Sequence, residues 1–539
     1  MQETEKKKNF LTGAAILAAA SIFVKIVGAI YKIPIMNVLD DAGKGIFQVS
    51  YNVYTLMFTI STAGIPAALS RIVSSAAATG KSGLVKRYFS VSMPAFILIG
   101  AVAMAVMFLF ADTFAEWMHN SMAAPGIRVL APAVFFVCII SVYRGYAQGF
   151  ENMIPTAMSQ VVEVICKAAF GIIAALWLVA RNYDSPIVSA GAIMGSTIGL
   201  GLSVPLLVWY KRRIDRGLPD EGGAGSLPGK LRVFGELMKV SIPITLSASF
   251  MSIMTVVDSS VILGRLQSAL HLSEHAASEQ FGLYTLGLTI YNLPPAIVVP
   301  VSVSIIPAIA AALARKREGE AGTIMQSSVK LVNLIAMPAG AGLMVLSQPI
   351  LTALYNDSRQ ITATILTILG AASFFVCLQY ITTAILQANG HERVALMTFP
   401  IGAVIKILIG YFLSGNPNIG IVGSPIGTLV CFIIISALNI AFILARVKER
   451  PKFAVVFIKP LFCTAVMAAA AFLSYKLLSK VGSNAIGDGR MAVAAYLAGA
   501  ILIGVVVYAV LIIVTRTITK EDMALVPKGE KLARLLRIK

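Results

Sequence analysis

Apolar runs of twenty or more residues, separated by short polar turns, recur along the whole chain. Fourteen can be marked, at about 11–36, 46–70, 88–111, 127–150, 154–180, 186–210, 234–263, 281–310, 327–352, 361–388, 393–413, 419–445, 455–478 and 491–515. Each is long enough for a helix to cross about 30 Å of hydrocarbon. The alternating apolar and polar positions of membrane-barrel strands are absent, so the runs read as helices. The pattern predicts an all-α polytopic membrane protein with fourteen transmembrane helices.

The runs are not independent of one another. An offset of about 239 residues carries Phe135, Phe136, Val137 and Cys138 onto Phe374, Phe375, Val376 and Cys377. It also carries Gln148 onto Gln387, Lys167 onto Lys406 and Gly171 onto Gly410. A near-identical offset pairs Tyr51-Asn52 with Tyr291-Asn292 and Pro66 with Pro307. Duplicated membrane halves are the pattern of transporters, whose ligand sites form between the repeats. Six crossings per copy is an even number, so both copies enter the membrane from the same side and the repeats are parallel. The expected organisation is an N-lobe over 1–215 (spans 1–6), a cytoplasmic linker over 216–233, and a C-lobe over 234–450 (spans 7–12). An appended helix pair with a basic tail occupies 451–539.

Composition agrees with a membrane protein. Hydrophobic residues make up 58% and charged residues 13%, about half the charged share of a soluble domain. The net charge of +19 invites a nucleic-acid reading that the positions of the charges exclude. Lys6–Lys8 precede span 1, while Arg71, Lys81, Lys86 and Arg87 follow span 2. Lys211, Arg212, Arg213 and Arg216 follow span 6, Arg315–Arg317 span 8, and Arg446, Lys448, Arg450 and Lys452 span 12. Most cations thus fall on one side, which the positive-inside rule makes cytoplasmic, together with both termini. There they meet anionic membrane lipids. The N-terminus imitates a signal peptide, but cleavage would remove the first helix of the first repeat, so it is read as a retained span.

Little points to an enzyme or a cofactor. The stretch GAGSLPGK in the linker resembles a phosphate-binding loop, but Ala224 and Leu231 stand where that loop needs Gly and Ser or Thr. Cys138, Cys166, Cys377, Cys431 and Cys463 lie in apolar spans without a CxxC pair and read as packing residues. His271 and His275 read as part of a solvated loop rather than a metal site. No Ser-His-Asp set or paired-carboxylate site suggests itself. No cofactor and no metal are expected.

Charges inside the spans carry the chemistry, because a lysine near the bilayer centre costs about 2.5–3.5 kcal/mol and normally faces a watery cavity or a partner. Lys25 and Lys32 share one face of span 1. Span 5 carries Glu163 and Lys167 in the favourable i,i+4 order, which reads as an intrahelical pair. The repeat places Lys406 opposite Lys167 but Gly402 opposite Glu163, so Lys406 is expected to be the less neutralised cation. Lys25, Lys32, Lys167, Lys406, Gln48 and Asn52 are the cavity candidates. Glu163, Asp258 and Arg265 are candidates for a gate or for coupling to an ion, H+ or Na+, and Arg144 is read as a boundary charge. Pro294, Pro295, Pro300 and Pro307 are expected to let span 8 bend. Gly191, Gly195, Gly199, Gly423 and Gly427 are expected at close helix contacts.

Two segments carry a family resemblance. Arg144-Gly145-Tyr146-Ala147-Gln148-Gly149 with Pro155-Thr156-Ala157-Met158-Ser159-Gln160-Val161-Val162-Glu163, and the stretch from Phe47 to Arg71, resemble the stage V sporulation protein B group. That group belongs to the polysaccharide-transporter branch of the multidrug/oligosaccharidyl-lipid/polysaccharide exporter superfamily. The resemblance covers essentially the whole chain. It implies two six-helix lobes around a cavity open alternately to each side, with spans 13 and 14 forming a groove for a prenyl tail. It also implies a first-span cation, here Lys25 within Phe23-Val24-Lys25-Ile26-Val27-Gly28, where the lipid II flippases have Arg. Their span 8 cation has no counterpart in this chain, and Lys406 or Lys167 is the candidate substitute. The implied function is flipping of an undecaprenyl-pyrophosphate-linked saccharide, lipid II first, across the bacterial cytoplasmic membrane. The alternatives are export of another lipid-linked oligosaccharide, cation-coupled drug antiport, and a non-transporting scaffold of wall or spore-coat assembly.

Overall fold

The computed structural model describes residues 23–517 apart from 25, 26, 29, 80, 217–227, 452, 483–486 and 488. Lys25, most of the first predicted span, most of the linker and the basic tail therefore lie outside the described residues. The rest is helical, with no strand among the described residues. Thirteen helical stretches among them are long and apolar enough to cross a membrane. The protein is an all-α, multi-pass membrane protein.

The chain forms two compact units, residues 1–282 and 283–539. The first holds α1 (30–38), α2 (Asp41–Thr62), α3 (Ile65–Ala78), α4 (Ser82–Leu109), α5 (Ala111–Trp117), α6 (Ala124–Gly149), α7 (Ile154–Ala180), α8 (Ser185–Arg216) and α9 (Lys230–Ser268). It also takes the first part of α10 (Glu274–Tyr291). The second holds the rest of α10, α11 (Leu293–Ala314), α12 (Glu318–Val345), α13 (Ser347–Tyr355), α14 (Gln360–Ala388), α15 (Glu392–Ser414), α16 (Gly423–Arg446), α17 (Phe453–Gly482) and α18 (Arg490–Val514). Starts follow local chemistry. Asp40 caps α2 by accepting the Gly43 N–H at 2.9 Å, and α3, α6, α7 and α11 each carry proline in the first turn, where no N–H is needed.

The repeated motif marks the central helix of each unit. α6 packs on α2, α3, α4 and α8, and α14 packs on α11, α12, α13 and α16. Their apolar windows are 61% buried in both cases, more than any other span. The rings of Phe135 and Phe136 meet edge-on at 5.7 Å, those of Phe374 and Phe375 at 5.0 Å, and Cys138 and Cys377 are both fully buried. The expected glycine contacts repeat as well. A Cβ on Gly195 of α8 would stand 2.5 Å from the Gly171 nitrogen and collide with the Lys167 carbonyl. One on Gly427 of α16 would stand 3.5 Å from the Gly410 nitrogen and 3.0 Å from the Lys406 carbonyl. The same lysine-bearing helix is thus gripped by the same glycine in each unit.

Several spans are broken where the hydrophobic pattern runs on. Span 2 divides into α2 and α3 at Ala63-Gly64, because α9 comes so close there that Ser241 leaves no room for a side chain on Gly64. Thr245 of α9 accepts the Gly64 N–H at 3.1 Å. Span 8 does not simply bend. It ends as α10 at Tyr291, and α11 starts afresh after Asn292 with Pro294 and Pro295 in its first turn, a place where proline removes no hydrogen bond. The appended pair α17 and α18 is bolted to its own unit by side chains that satisfy backbone carbonyls. Asn333 donates to Val456 (3.1 Å), Tyr508 to Leu334 (3.0 Å), and Arg490 to Ala353 and Leu354 at the end of α13 (3.0 and 2.6 Å).

The glycine contacts yield an asymmetric expectation. Gly195→Ala should cost about 1–3 kcal/mol through overpacking, whereas Gly427→Ala, with more room, should lower the melting temperature of purified protein less. Equal losses would mean that the two contacts are not differently tight. A second expectation concerns Asp357, in the turn before α14. Burial works against its charge, but Arg359, through its backbone N–H, guanidinium and charge, and Thr362 hold the carboxyl below its ordinary value of 3.8. A depressed carboxyl stabilises the fold above its unfolded value and loses that contribution as pH falls through the folded one. Asp357→Asn should therefore lower the melting temperature by an amount that is full at pH 7 and shrinks below pH 3.8; a pH-independent difference would refute this.

Candidate functional site

The site lies in the first unit, where α1, α2, α7 and α9 each contribute a polar group. On α1, the Lys32 ammonium donates to Gln48 Oε1 on α2 at 3.2 Å. Gln48 and Asn52 are one helical turn apart, and the Gln48 amide donates to Asn52 Oδ1 at 2.8 Å. Asn52 in turn donates to the Ser259 hydroxyl of α9 at 2.8 Å, and that hydroxyl donates to the Thr255 carbonyl at 2.9 Å. A continuous row of hydrogen bonds thus runs along one face of α2.

Lys167 enters from α7. Its ammonium donates to the Tyr51 hydroxyl at 3.0 Å and sits 4.5 Å from the Tyr51 ring centroid and 5.7 Å from that of Tyr31, within cation–π range of both. Tyr31 is held by its own hydroxyl, which donates to the Ala192 carbonyl of α8 at 3.4 Å. The absence of a side chain on Gly171 makes room for it, since a Cβ there would lie 3.0 Å from the Tyr31 oxygen. Tyr51 stacks on Phe47 at 6.1 Å and tilts against Tyr54 at 5.5 Å.

The acceptors of the two ammonium groups, Gln48 and Tyr51, are three residues apart on α2 and so occupy neighbouring positions on one face of that helix. Among the described residues no carboxylate lies within ion-pair distance of either ammonium group. Glu163, the expected intrahelical partner of Lys167, is engaged elsewhere. Its carboxylate takes Arg144 of α6 at 3.1 Å, while Arg144 Nε donates to Ser159 at 2.9 Å. This corrects two expectations: Arg144 is an interhelical clasp rather than a boundary charge, and Glu163 compensates Arg144. An i,i+4 spacing permits a pair but cannot exclude a better bidentate-capable partner on a neighbouring helix.

The second copy dispenses with the charges. Thr383, Thr398 and Gly402 occupy the places of Arg144, Ser159 and Glu163. There Asn439 of α16 donates to Thr382 and Thr383 at 3.2 and 3.1 Å and accepts from Thr398 at 3.1 Å. Lys406 lies half-buried in the middle of α15 in the second unit. Asp258 is buried in α9, one residue before Ser259, and Arg265 is half-buried in the last turn of that helix. Lys25 lies outside the described residues. The structure therefore brings together Lys32, Gln48, Asn52 and Lys167, and adds Tyr31, Tyr51 and Ser259, which sequence reasoning did not select. The repeated Tyr51-Asn52 dipeptide was the available signal for Tyr51.

Two ammonium groups with no carboxylate within ion-pair distance among the described residues, beside neutral donors and acceptors, suit an anion carrying hydroxyl or amide substituents. The clasp itself is testable. Glu163→Gln would leave the Arg144 cation without its counter-charge and should destabilise the protein by about 1.5–3 kcal/mol. It should lower melting temperature and membrane abundance, and the charge swap Arg144→Glu with Glu163→Arg should recover part of the loss. Wild-type stability in the single variant would show that the pair carries no weight.

Comparison with known proteins agrees with this architecture. Residues 10–313, more than half of the chain, match the family described as "Polysaccharide biosynthesis protein". Stage V sporulation protein B of Bacillus subtilis (strain 168) is 24% identical over 530 residues, covering 97% of this chain and 98% of that protein. The lipid II flippase MurJ of the same organism is 27% identical over 425 residues, covering 74% of this chain and 76% of its own. Among solved structures, lipid II flippase MurJ in an inward closed conformation superimposes with a TM-score of 0.67 at 16% identity, covering 92% of this chain and 98% of that one. The activity named among these relatives is lipid flipping, which is not enzymatic. The chain belongs to the polysaccharide biosynthesis protein family.

Proposed function

We propose that this member of the polysaccharide biosynthesis protein family is a flippase for an undecaprenyl-pyrophosphate-linked saccharide, with lipid II as the first substrate to test. The observation that carries the reading is the pair of ammonium groups of Lys32 and Lys167, held on neighbouring positions of α2 by Gln48 and Tyr51 and without a carboxylate within ion-pair distance among the described residues. A diphosphate head group cannot cross hydrocarbon unaided, and two cations next to a row of amide and hydroxyl groups offset its desolvation. The likeness to MurJ supports the same direction. In this reading the protein works by alternating access of two six-helix lobes without ATP. It resides in the bacterial cytoplasmic membrane with both termini in the cytoplasm, as the placement of its cations favours. A cation-coupled antiporter is disfavoured because Glu163, one of its two acidic candidates, is already committed to Arg144. Lys25 and Lys406 are proposed as further phosphate contacts.

The test is transport in liposomes containing purified protein and lipid II, read as the rate at which lipid II becomes accessible to an external enzyme. Lys32→Ala and Lys167→Met should each slow flipping about tenfold or more, as expected for loss of a charge-assisted contact. Both should leave melting temperature and abundance near wild type, and Lys167→Arg should retain more activity than Lys167→Met. Undiminished flipping in both charge-removing variants, or no flipping by wild type, would overturn the reading.

A further inference from the structure

Among the described residues of the first unit, Tyr51 is the aromatic residue that both accepts a hydrogen bond from an ammonium group and lies beneath it. Its oxygen accepts from Lys167 at 3.0 Å while its ring lies 4.5 Å below the same ammonium. A phenol oxygen that accepts from an ammonium must point its own hydrogen away from that group. That hydrogen has no acceptor among the described residues, although the residue is only half-buried within a helical membrane protein. Rigid neighbours fix the ring: Phe47 stacks on it almost parallel, at 4°, and Tyr54 tilts against it. Beside it, Gln48 and Asn52 on the same helix are occupied with Lys32 and Ser259.

The repeat supplies a control inside the molecule. The equivalent dipeptide, Tyr291-Asn292, closes one helix and leads into the next. There the Tyr291 carbonyl accepts from Ser373 at 3.2 Å, and the Asn292 side chain donates to Leu288 at 2.7 Å. In the second copy these residues serve a helix break. In the first they sit inside a continuous helix and turn their polar atoms to Lys167 and Ser259. The α2 helix does not need the Tyr51 hydroxyl, which instead serves the Lys167 ammonium.

We propose that Tyr51 is a ligand of the head group and a determinant of its specificity. Its free O–H hydrogen completes a three-donor set with the Lys32 and Lys167 ammonium groups, while its oxygen and ring hold Lys167 in place. Two ammonium groups satisfy one phosphate. The neutral Tyr51 donor, its oxygen 3.0 Å from the Lys167 ammonium, serves the second, so the three donors together select a diphosphate over a monophosphate. The inference rests on the reading of Lys32 and Lys167 as phosphate ligands.

The experiment measures binding of undecaprenyl pyrophosphate and of undecaprenyl phosphate to purified full-length protein. Tyr51→Phe keeps the ring and should weaken diphosphate binding about tenfold, the loss of one hydrogen bond to a charged group, with less effect on the monophosphate. In a Lys167→Met background the same change should add little, since the two residues act together. Replacing Tyr51 by monofluorotyrosine, nearly the same size, a stronger donor and still protonated at mildly acidic pH, should tighten diphosphate binding there, a response that a purely structural role would not produce. If Lys167→Met weakens binding while Tyr51→Phe and monofluorotyrosine match wild type, the role of Tyr51 is refuted and the flippase reading stands. If wild type binds neither lipid, or Lys167→Met binds as wild type does, both fall.

Discussion

An ammonium group between membrane helices keeps its charge only if something replaces the water it has lost. In this protein Lys32 and Lys167 meet that demand with neutral groups alone: an amide, a phenol and two aromatic faces. Neutral partners solvate a cation without cancelling it, so two like charges stay close together and a residual attraction for anions remains. The arrangement around them follows from this constraint. Tyr31 is pinned to α8, Gly171 gives it space, Gly195 brings α8 close enough to do the pinning, and Phe47 and Tyr54 stiffen Tyr51.

The nearest carboxylate shows how such a site keeps its charge. Glu163 stands one turn from Lys167 and would neutralise it if left to local geometry. Arg144 prevents this by drawing the carboxylate to α6, with Ser159 holding the guanidinium from the other side. A guanidinium offers several donors in a fixed plane, which a flexible lysine does not match. The Arg144–Glu163 pair therefore ties α6 to α7 and also keeps the carboxylate out of ion-pair distance of Lys167.

The duplicated halves have diverged along this line. Both retain the paired phenylalanines, the buried cysteine and the glycine that grips the lysine-bearing helix. These contacts depend on shape and apolar burial, and they tolerate no charge. Where the first copy has its ion pair, the second has an asparagine–threonine network that joins the same helices without charge. Duplication preserved the packing and left the polar chemistry free to differ.

The span pattern, the repeat, the glycine contacts and the presence of Lys32 and Lys167 inside spans were legible along the chain, because each depends on periodicity or on the cost of a charge in hydrocarbon. Those causes act locally and so leave a local trace. The partner of Glu163 was not legible: Lys167 and Arg144 are both within reach of its side chain, and only the packing of α6 on α7 decides between them. The tyrosines around Lys167 were hidden for the same reason, since 116 residues separate Tyr51 from it and an aromatic residue in an apolar span looks like any other. The breaks at Gly64 and Asn292 were likewise decided in three dimensions, one by the approach of α9 and the other by prolines that open a new helix. Sequence determined which residues carry charge and which helices hold them; tertiary contact decided which of those charges meet an opposite charge and which meet neutral groups, because only packing brings residues from different helices within reach.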